Sequence, residues 1–235
     1  MNPAAMSTEP TPNSPAPTAS SPSFYRWLIV ILGIFLVLLI IYRSSNSDAG
    51  PTMHGGSSPG QLPKISRIPP FTLTERSGKI ITNNDLTGKV WVADFVYTMC
   101  PGPCPLVTAE LAKIQQSVAG DPHVQLVTFT VDPQTDTPQV LAAYADKFHA
   151  DANKWWFLTG PEKPLYALIQ NGFLQAVEDD HGQKLDPGQG NVTHSTYFAL
   201  IDANGIMRGA YQSQDPDECK QLLKDIAVLE REAGL

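Results

Sequence analysis

One stretch of the chain, residues 89–97, constrains the fold most. Its sequence, Lys-Val-Trp-Val-Ala-Asp-Phe-Val-Tyr, is almost continuously apolar. Valine and aromatic residues favour a strand, and a strand without alternating polar residues is buried on both faces. Such a strand needs other elements packed on both sides of its sheet, so the sequence predicts an α/β fold.

The segments around this strand alternate between strand and helix patterns. We predict further strands over residues 124–130, 156–158, 195–201 and 207–211, and helices over residues 106–118, 138–148, 161–172 and 216–233. The helix over 161–172 is expected to end on its glycine. Ser77-Gly78 and Asp202-Ala-Asn-Gly205 each predict a hairpin turn, the first of them in an N-terminal hairpin. This order of elements predicts a central mixed sheet flanked by helices.

The first 65 residues have a different composition. Residues 1–23, rich in Pro, Ser and Thr, predict a disordered tail. Residues 24–43 predict a single transmembrane anchor, because 27–42 are uncharged and apolar and as a helix cover roughly 24 Å of a hydrocarbon core of about 30 Å. Residues 44–65 predict a flexible linker to a folded domain over residues 66–235. One arginine flanks each end of the apolar run, so charge does not fix its orientation.

Charge excludes one class of function. The chain has a formal net charge of −7, and 21 of its 23 acidic residues follow residue 65. No basic run interrupts this acidic region. Nucleic-acid binding is therefore not expected, because lysine and arginine supply most of that affinity.

The chain has three cysteines, too few for a disulfide-rich scaffold or a four-cysteine zinc site. Cys100 and Cys104 lie in Thr98-Met-Cys-Pro-Gly-Pro-Cys-Pro105, where the buried strand ends and a helix begins. The positive end of that helix favours a thiolate at Cys100. Two thiols at this spacing suit one soft metal ion or a disulfide, and we expect them on an exposed turn rather than as buried inert thiols. Cys219 is expected to be a half-buried apolar residue.

Two thiolates leave a metal site incomplete, and an imidazole is the expected third ligand. The candidates are the five histidines of the chain, His54, His123, His149, His181 and His194. His194 is favoured because it follows a glycine-rich loop and directly precedes a buried strand, but spacing alone leaves the choice open. Met99 is expected to pack in the interior rather than act as a soft axial donor.

Two acidic residues follow the strand over 124–130. Asp132 is expected to shape an Asp-Pro turn, and Asp136 to shape the start of the next helix. The alternative is that one of them orients the metal-binding histidine.

The chain resembles the Sco/SenC family of membrane-anchored, thioredoxin-like copper-binding proteins, which assemble cytochrome oxidase. The resemblance covers roughly residues 66–233 and the anchor, and its motifs lie in residues 95–105, 130–144, 156–160 and 194–202. It implies a thioredoxin-like fold on a single N-terminal transmembrane helix. It also implies copper, as Cu(I) or Cu(II), bound by Cys100, Cys104 and His194. The chain departs from the family at Gly102, where a bulkier residue is usual.

The resemblance also implies a function and a location. The protein would deliver copper to the copper-binding subunit of a respiratory cytochrome oxidase, with a copper donor protein and a thiol–disulfide reductant as further partners. It would be a single-pass inner-membrane protein with its domain in the periplasm, or in the intermembrane space of a mitochondrion. The alternatives are a thiol–disulfide oxidoreductase that reduces a partner's copper-ligand cysteines, and a copper or redox sensor.

Asp94 favours the oxidoreductase. It lies inside the buried strand, six residues before Cys100, and thioredoxins place a buried aspartate at the same offset. A desolvated carboxyl has a raised pKa and can exchange protons near neutral pH. Asp94 is thus a possible proton relay for Cys100 and Cys104 as a redox pair. The competing interpretation is an aspartate that only hydrogen-bonds to neighbouring backbone.

Overall fold

The computed structural model describes residues 22–45, 61–174, 177–178, 191–192 and 196–235, with side chains over 27–38, 61–174 and 196–235. The chain divides into two units, residues 1–52 and 53–235, and the first contains helix α1 (Pro22–Ser45). Over the described residues, no helix combines the length and the hydropathy that a membrane span requires. The predicted anchor, 24–43, extends beyond the described side chains at both ends, and the predicted tail and linker lie largely outside the described residues.

The described part of the second unit contains ten strands, four α-helices and one short 3-10 helix (Asn83–Leu86). The strands are β1 (Ser66–Arg67), β2 (Thr72–Glu75), β3 (Ile80–Thr82), β4 (Val90–Val96), β5 (Val124–Thr130), β6 (Trp155–Thr159), β7 (Val177–Glu178), β8 (Asn191–Val192), β9 (Tyr197–Ile201) and β10 (Ile206–Gln212). The helices are α2 (Pro103–Ser117), α3 (Pro138–Lys147), α4 (Glu162–Phe173) and α5 (Pro216–Ala233).

Eight of these strands form one mixed sheet in the order β1-β10-β9-β4-β5-β6-β2-β3, and β7 pairs with β8 separately. The central strands β4, β5 and β6 are parallel and are connected through α2 and α3. On the other side of β4, β9 runs antiparallel, with Ala199 opposite Ala93. The predicted mixed sheet and its N-terminal hairpin, β2–β3, are confirmed.

Both faces of β4 are buried, as its apolar sequence predicts. Every residue of the strand is buried. Val92 and Val96 belong to a core with residues of α2, α3 and α5, whereas Trp91 and Phe95 belong to a second core with residues of α4. Since side chains alternate along a strand, Asp94 lies on the same face as Val92 and Val96. That face is the one covered by α2, which carries Cys104.

Most helix ends lie within one residue of the prediction, and two of the differences have a clear physical reason. α2 begins at Pro103 rather than near residue 106, because proline is well suited to the first position of a helix. α4 ends one residue after Gly172, with Leu174 in the left-handed conformation. Gly172 thus lies inside this helix. A Cβ atom at this position would be 2.9 Å from Cδ of Pro69, so a larger residue would not fit there. Close packing, not chain reversal, therefore explains this glycine.

Candidate metal centre

The two cysteines lie in the connection between the end of β4 and the first turn of α2. The N–H of Cys100 donates to the carbonyl oxygen of Tyr97 at 3.2 Å, which closes a four-residue turn directly after the strand. Gly102 then caps the N-terminus of α2, and Cys104 lies in the first helical turn. Both thiols are free. Strand, turn and helix thus bring the two sulfurs together at one edge of the sheet.

The cysteines themselves are buried, which differs from the predicted exposed site. Cys100 is 6% exposed and Cys104 is 4% exposed, and both join the core beneath α2. By contrast, Met99 is 71% exposed, so the prediction that it packs in the interior is wrong. The reason is its place in the turn that projects beyond the end of β4. The sequence shows that a turn is required, but not which of its residues point outward.

The surroundings of Cys100 favour its thiolate. Burial alone would raise the pKa of the Cys100 thiol, but several donors reverse this effect. They are the backbone N–H groups of Cys104 and Gly102, the thiol of Cys104 and the hydroxyl of Tyr97. Together they lower the pKa of Cys100 below its usual value, as the free N–H groups at a helix N-terminus are expected to do.

Cys104 behaves in the opposite way. Burial raises the pKa of its thiol to about 12, and the hydrogen bond and negative charge of Cys100 and the charge of Asp94 act in the same direction. The N–H of Tyr97 opposes this rise without cancelling it. The pair therefore consists of one readily ionised sulfur and one sulfur that keeps its proton until a metal or a base removes it.

Asp94 is fully buried on the same face of the sheet. The hydroxyl of Thr128 donates to its Oδ1 at 2.5 Å, and Nε1 of Trp155 donates to that hydroxyl at 2.7 Å. Among the described residues its Oδ2 has no hydrogen-bond partner. Burial raises the pKa of Asp94 to about 7. A carboxyl of this kind can exchange a proton near neutral pH, which is compatible with a proton relay. The relay itself stays a prediction.

Asp136 has a different role from the one predicted. The cap of α3 is Thr137, and the Asp136 carboxylate instead accepts the N–H of Thr98 at 3.2 Å and its hydroxyl at 2.6 Å. It also accepts the hydroxyl of Thr130 at 2.6 Å. Asp132 shapes the preceding turn, as predicted, since its carbonyl oxygen accepts the N–H of Asp136 at 2.8 Å.

Asp136 therefore fixes the turn that leads into the cysteines. Sequence reasoning missed this contact, although a signal exists. Thr130 ends β5, and the half-buried Thr98 follows the adjacent parallel strand β4. Hydroxyl groups that are removed from water in this way need hydrogen-bond partners.

The histidine candidates divide into two groups. His54, His181 and the favoured His194 lie outside the described residues. His123 directly precedes β5, and because Val124 pairs with Val90, it lies at the sheet edge opposite the cysteines. His149 follows α3. Within the described ranges, no three metal-ligating side chains come together.

Cys219 stands apart from the cysteine pair. It lies in α5, half-buried against the core, and its thiol donates to the carbonyl oxygen of Ser213 at 3.3 Å. The prediction of a half-buried apolar residue is confirmed.

Known proteins are similar to this chain in both sequence and fold. A family model described as SCO1/SenC matches residues 60–229. The chain belongs to the SCO1/SenC family. A SCO1/SenC family lipoprotein from Bacillus anthracis is 35% identical, with a TM-score of 0.60 over 70% of this chain and 95% of that one.

Two further Sco structures are similar. BsSco, described as a member of the Sco family of cytochrome c oxidase assembly proteins with a disulfide switch, is 26% identical with a TM-score of 0.62 over 72% of this chain and 96% of that one. Yeast Sco1 with copper bound shares the fold at 24% identity, with a TM-score of 0.55 over 69% of this chain and 90% of that one. The mixed α/β, thioredoxin-like fold is thus confirmed as that of the Sco proteins.

The hydrogen bonds of Asp136 generate a prediction about stability. Asp136→Asn replaces one accepting oxygen with an N–H₂ group that faces donors. We expect it to lower the free energy of unfolding by about 1–3 kcal/mol, the range for losing hydrogen bonds to a buried charged group. Urea unfolding of the full chain measures this change.

Asp146→Asn is the matched control, because it removes the same charge from an exposed position of α3. It should change the free energy of unfolding by less than about 0.5 kcal/mol. Equal urea midpoints for the two variants would contradict the proposal that the hydrogen bonds of Asp136 fix the turn.

Proposed function

We propose that the protein is a copper-delivery protein that binds one copper ion through Cys100, Cys104 and His194. The observation that carries this proposal is the pair of free, hydrogen-bonded thiols at the junction of β4 and α2. One of them ionises readily, and binding of a metal displaces the proton of the other. Copper is the metal in the yeast Sco1 structure, which has the same fold.

The donor set suits copper better than structural zinc. Two thiolates and an imidazole are soft and intermediate donors, which Cu(I) prefers. Structural zinc sites use four protein ligands in a closed shell. With two thiolates, Cu(I) leaves one surplus negative charge and Cu(II) leaves none, so both oxidation states are tolerable. A three-ligand site can also release its ion to another molecule.

The position of β9 supports His194 as the third ligand. This strand is antiparallel to β4, so β9 begins at the edge where β4 ends. Thr196 is held there because its carbonyl oxygen accepts the N–H of Ser213 at 2.8 Å. His194 is two residues earlier, a span of at most about 7 Å. Of the two described histidines, His123 lies at the opposite edge, and the carbonyl oxygen of His149 contacts Gln115 near the C-terminal end of α2, away from the cysteines.

The remaining elements of the proposal concern partners and location. BsSco is described as a cytochrome c oxidase assembly protein, and we infer the same process here. The receiving partner is the copper-binding subunit of the oxidase. A copper donor protein supplies this chain with copper, and a thiol–disulfide reductant keeps its two cysteines reduced. We further propose that residues 24–43 anchor the protein in the inner membrane, with its domain in the periplasm or intermembrane space.

Copper titration of the full chain tests this function. With the thiols reduced, we expect one Cu(I) per chain. With Cys100 and Cys104 oxidised to a disulfide, binding should be lost because both sulfurs are committed to each other. Competition with a chromophoric Cu(I) chelator measures stoichiometry and affinity.

Histidine variants identify the third ligand in the same titration. His194→Ala should weaken binding by about tenfold or more, equivalent to about 1.4 kcal/mol. His181→Ala is the matched control and should change little, and Cys219→Ser should preserve the stoichiometry. Equal losses in the two histidine variants would rule out His194 as the specific ligand.

A second function, thiol–disulfide exchange, is favoured by the unequal thiols and by Asp94. The Cys100 thiolate would attack a disulfide of the partner, form a mixed disulfide and release one partner thiolate. Cys104, after passing its proton to the Asp94 carboxylate, would attack the Cys100 sulfur. The partner then leaves as a dithiol, the chain holds a Cys100–Cys104 disulfide, and an external dithiol reductant restores it.

Asp94→Asn separates this function from copper delivery. The asparagine cannot accept the proton of Cys104, so we expect exchange with a model disulfide to slow by about tenfold or more, within the range of general base catalysis. One Cu(I) should still bind. In the wild type the exchange rate should rise as the pH passes through about 7, where Asp94 ionises, and the variant should lose this step. Unchanged exchange kinetics would return Asp94 to a purely structural role.

Asp94→Asn should also change how the free energy of unfolding depends on pH. Between about pH 4 and pH 7 the folded protein keeps the Asp94 proton that the unfolded chain loses, so this group makes stability fall as the pH rises. In Asp94→Asn this contribution should be absent, which urea unfolding at several pH values would detect.

A further inference from the structure

The cysteine site has a third sulfur, at its surface. Cys100 and Cys104 are 6% and 4% exposed, whereas Met99, the residue before Cys100, is 71% exposed. An ion that arrives from another molecule must cross the protein surface before it reaches the buried thiols. Met99 offers it a soft donor at that surface, directly beside the site.

The exposure of Met99 follows from the turn around it. The turn is closed by the hydrogen bond from Cys100 to Tyr97, and Asp136 holds both the N–H and the hydroxyl of Thr98. Thr98 and Cys100 are thus fixed on either side of Met99. While these bonds persist, the backbone keeps the methionine outside the core, where it contributes little to packing. Exposure by itself does not mark a function, since single apolar side chains are common at protein surfaces. The inference rests on the sulfur of Met99 and on its place directly before Cys100.

The chemistry of the thioether suits copper. Thioether sulfur is a soft ligand that Cu(I) accepts, and it has no proton to lose. Methionine is unbranched and has three rotatable side-chain bonds. Adjacent Cα atoms are about 3.8 Å apart. Rotation of the side chain therefore moves its sulfur between solvent and the vicinity of Cys100 without a change in the backbone.

We propose that Met99 is an entry and exit ligand for Cu(I), which binds the ion while it passes between an external donor or acceptor and the cysteine pair. This inference rests on the proposed copper function. The resident site is already filled by Cys100, Cys104 and His194, so the thioether acts during passage. A ligand that acts only during passage lowers the barrier in both directions. It speeds loading and release by the same factor and leaves the equilibrium affinity unchanged.

Met99→Leu in the full, reduced chain tests this role, because leucine preserves the apolar bulk and removes the sulfur. Stopped-flow mixing with a Cu(I)–chelator complex measures loading, and mixing of the loaded protein with a stronger chelator measures release. We expect both rates to fall by about tenfold, equivalent to a barrier change of about 1.4 kcal/mol. One Cu(I) should still bind with unchanged affinity.

Two further variants separate a ligand from an apolar contact. Leu106→Ala removes an apolar side chain of α2 that follows Cys104 by two residues, is 57% exposed and has no metal donor, and it should leave both rates unchanged. Met99→His restores a copper ligand without restoring the apolar surface, and it should recover the rates.

Each contrary result has a distinct meaning. Wild-type rates in Met99→Leu would overturn the role of Met99 and leave the copper function intact. Weaker equilibrium binding with faster release would also overturn it, because Met99 would then be a resident ligand. If the reduced wild-type chain binds no Cu(I), the proposed copper function itself fails, and this is evident before any variant is compared.

Discussion

Burial of β4 on both faces is the constraint on which the rest of the structure depends. Because α4 covers one face and α2, α3 and α5 cover the other, the strand can leave the core only at the edge of the sheet. The chain must turn there before α2 begins, and that turn carries Cys100. The N–H groups at the start of α2 then favour its thiolate. The reactivity of the cysteine pair is therefore built into the junction of a strand and a helix.

Two fully buried carboxyl groups support this junction in different ways. Asp136 accepts three hydrogen bonds, which compensate for its lost hydration and fix the turn. Asp94 accepts one side-chain hydrogen bond, and its second oxygen has no partner among the described residues. Burial consequently raises its pKa to about 7. One carboxylate thus fixes the turn, whereas burial of the other favours its protonated form.

Local patterns predicted most of the fold, because its elements depend on neighbouring residues. The apolar run of β4 and the helix predicted to begin at residue 138, which is α3, are examples. The partner of Asp136 could not be predicted in this way, since Thr98 lies 38 positions away and the contact exists only after β4 and β5 pair. The exposure of Met99 and the packing of Gly172 against Pro69 also depend on tertiary contacts. The motif also predicted the favoured thiolate of Cys100 and the raised pKa of Asp94, but not the burial of the two cysteines or the raised pKa of Cys104.

The most direct test of the central claim is X-ray absorption spectroscopy of the reduced full chain loaded with one equivalent of Cu(I). We expect two sulfur neighbours and one imidazole nitrogen around the bound Cu(I), with the nitrogen lost in His194→Ala. Two sulfur atoms and no imidazole in the wild type, or a third sulfur from Met99, would contradict it. The first result would remove His194 from the site, and the second would make Met99 a permanent ligand.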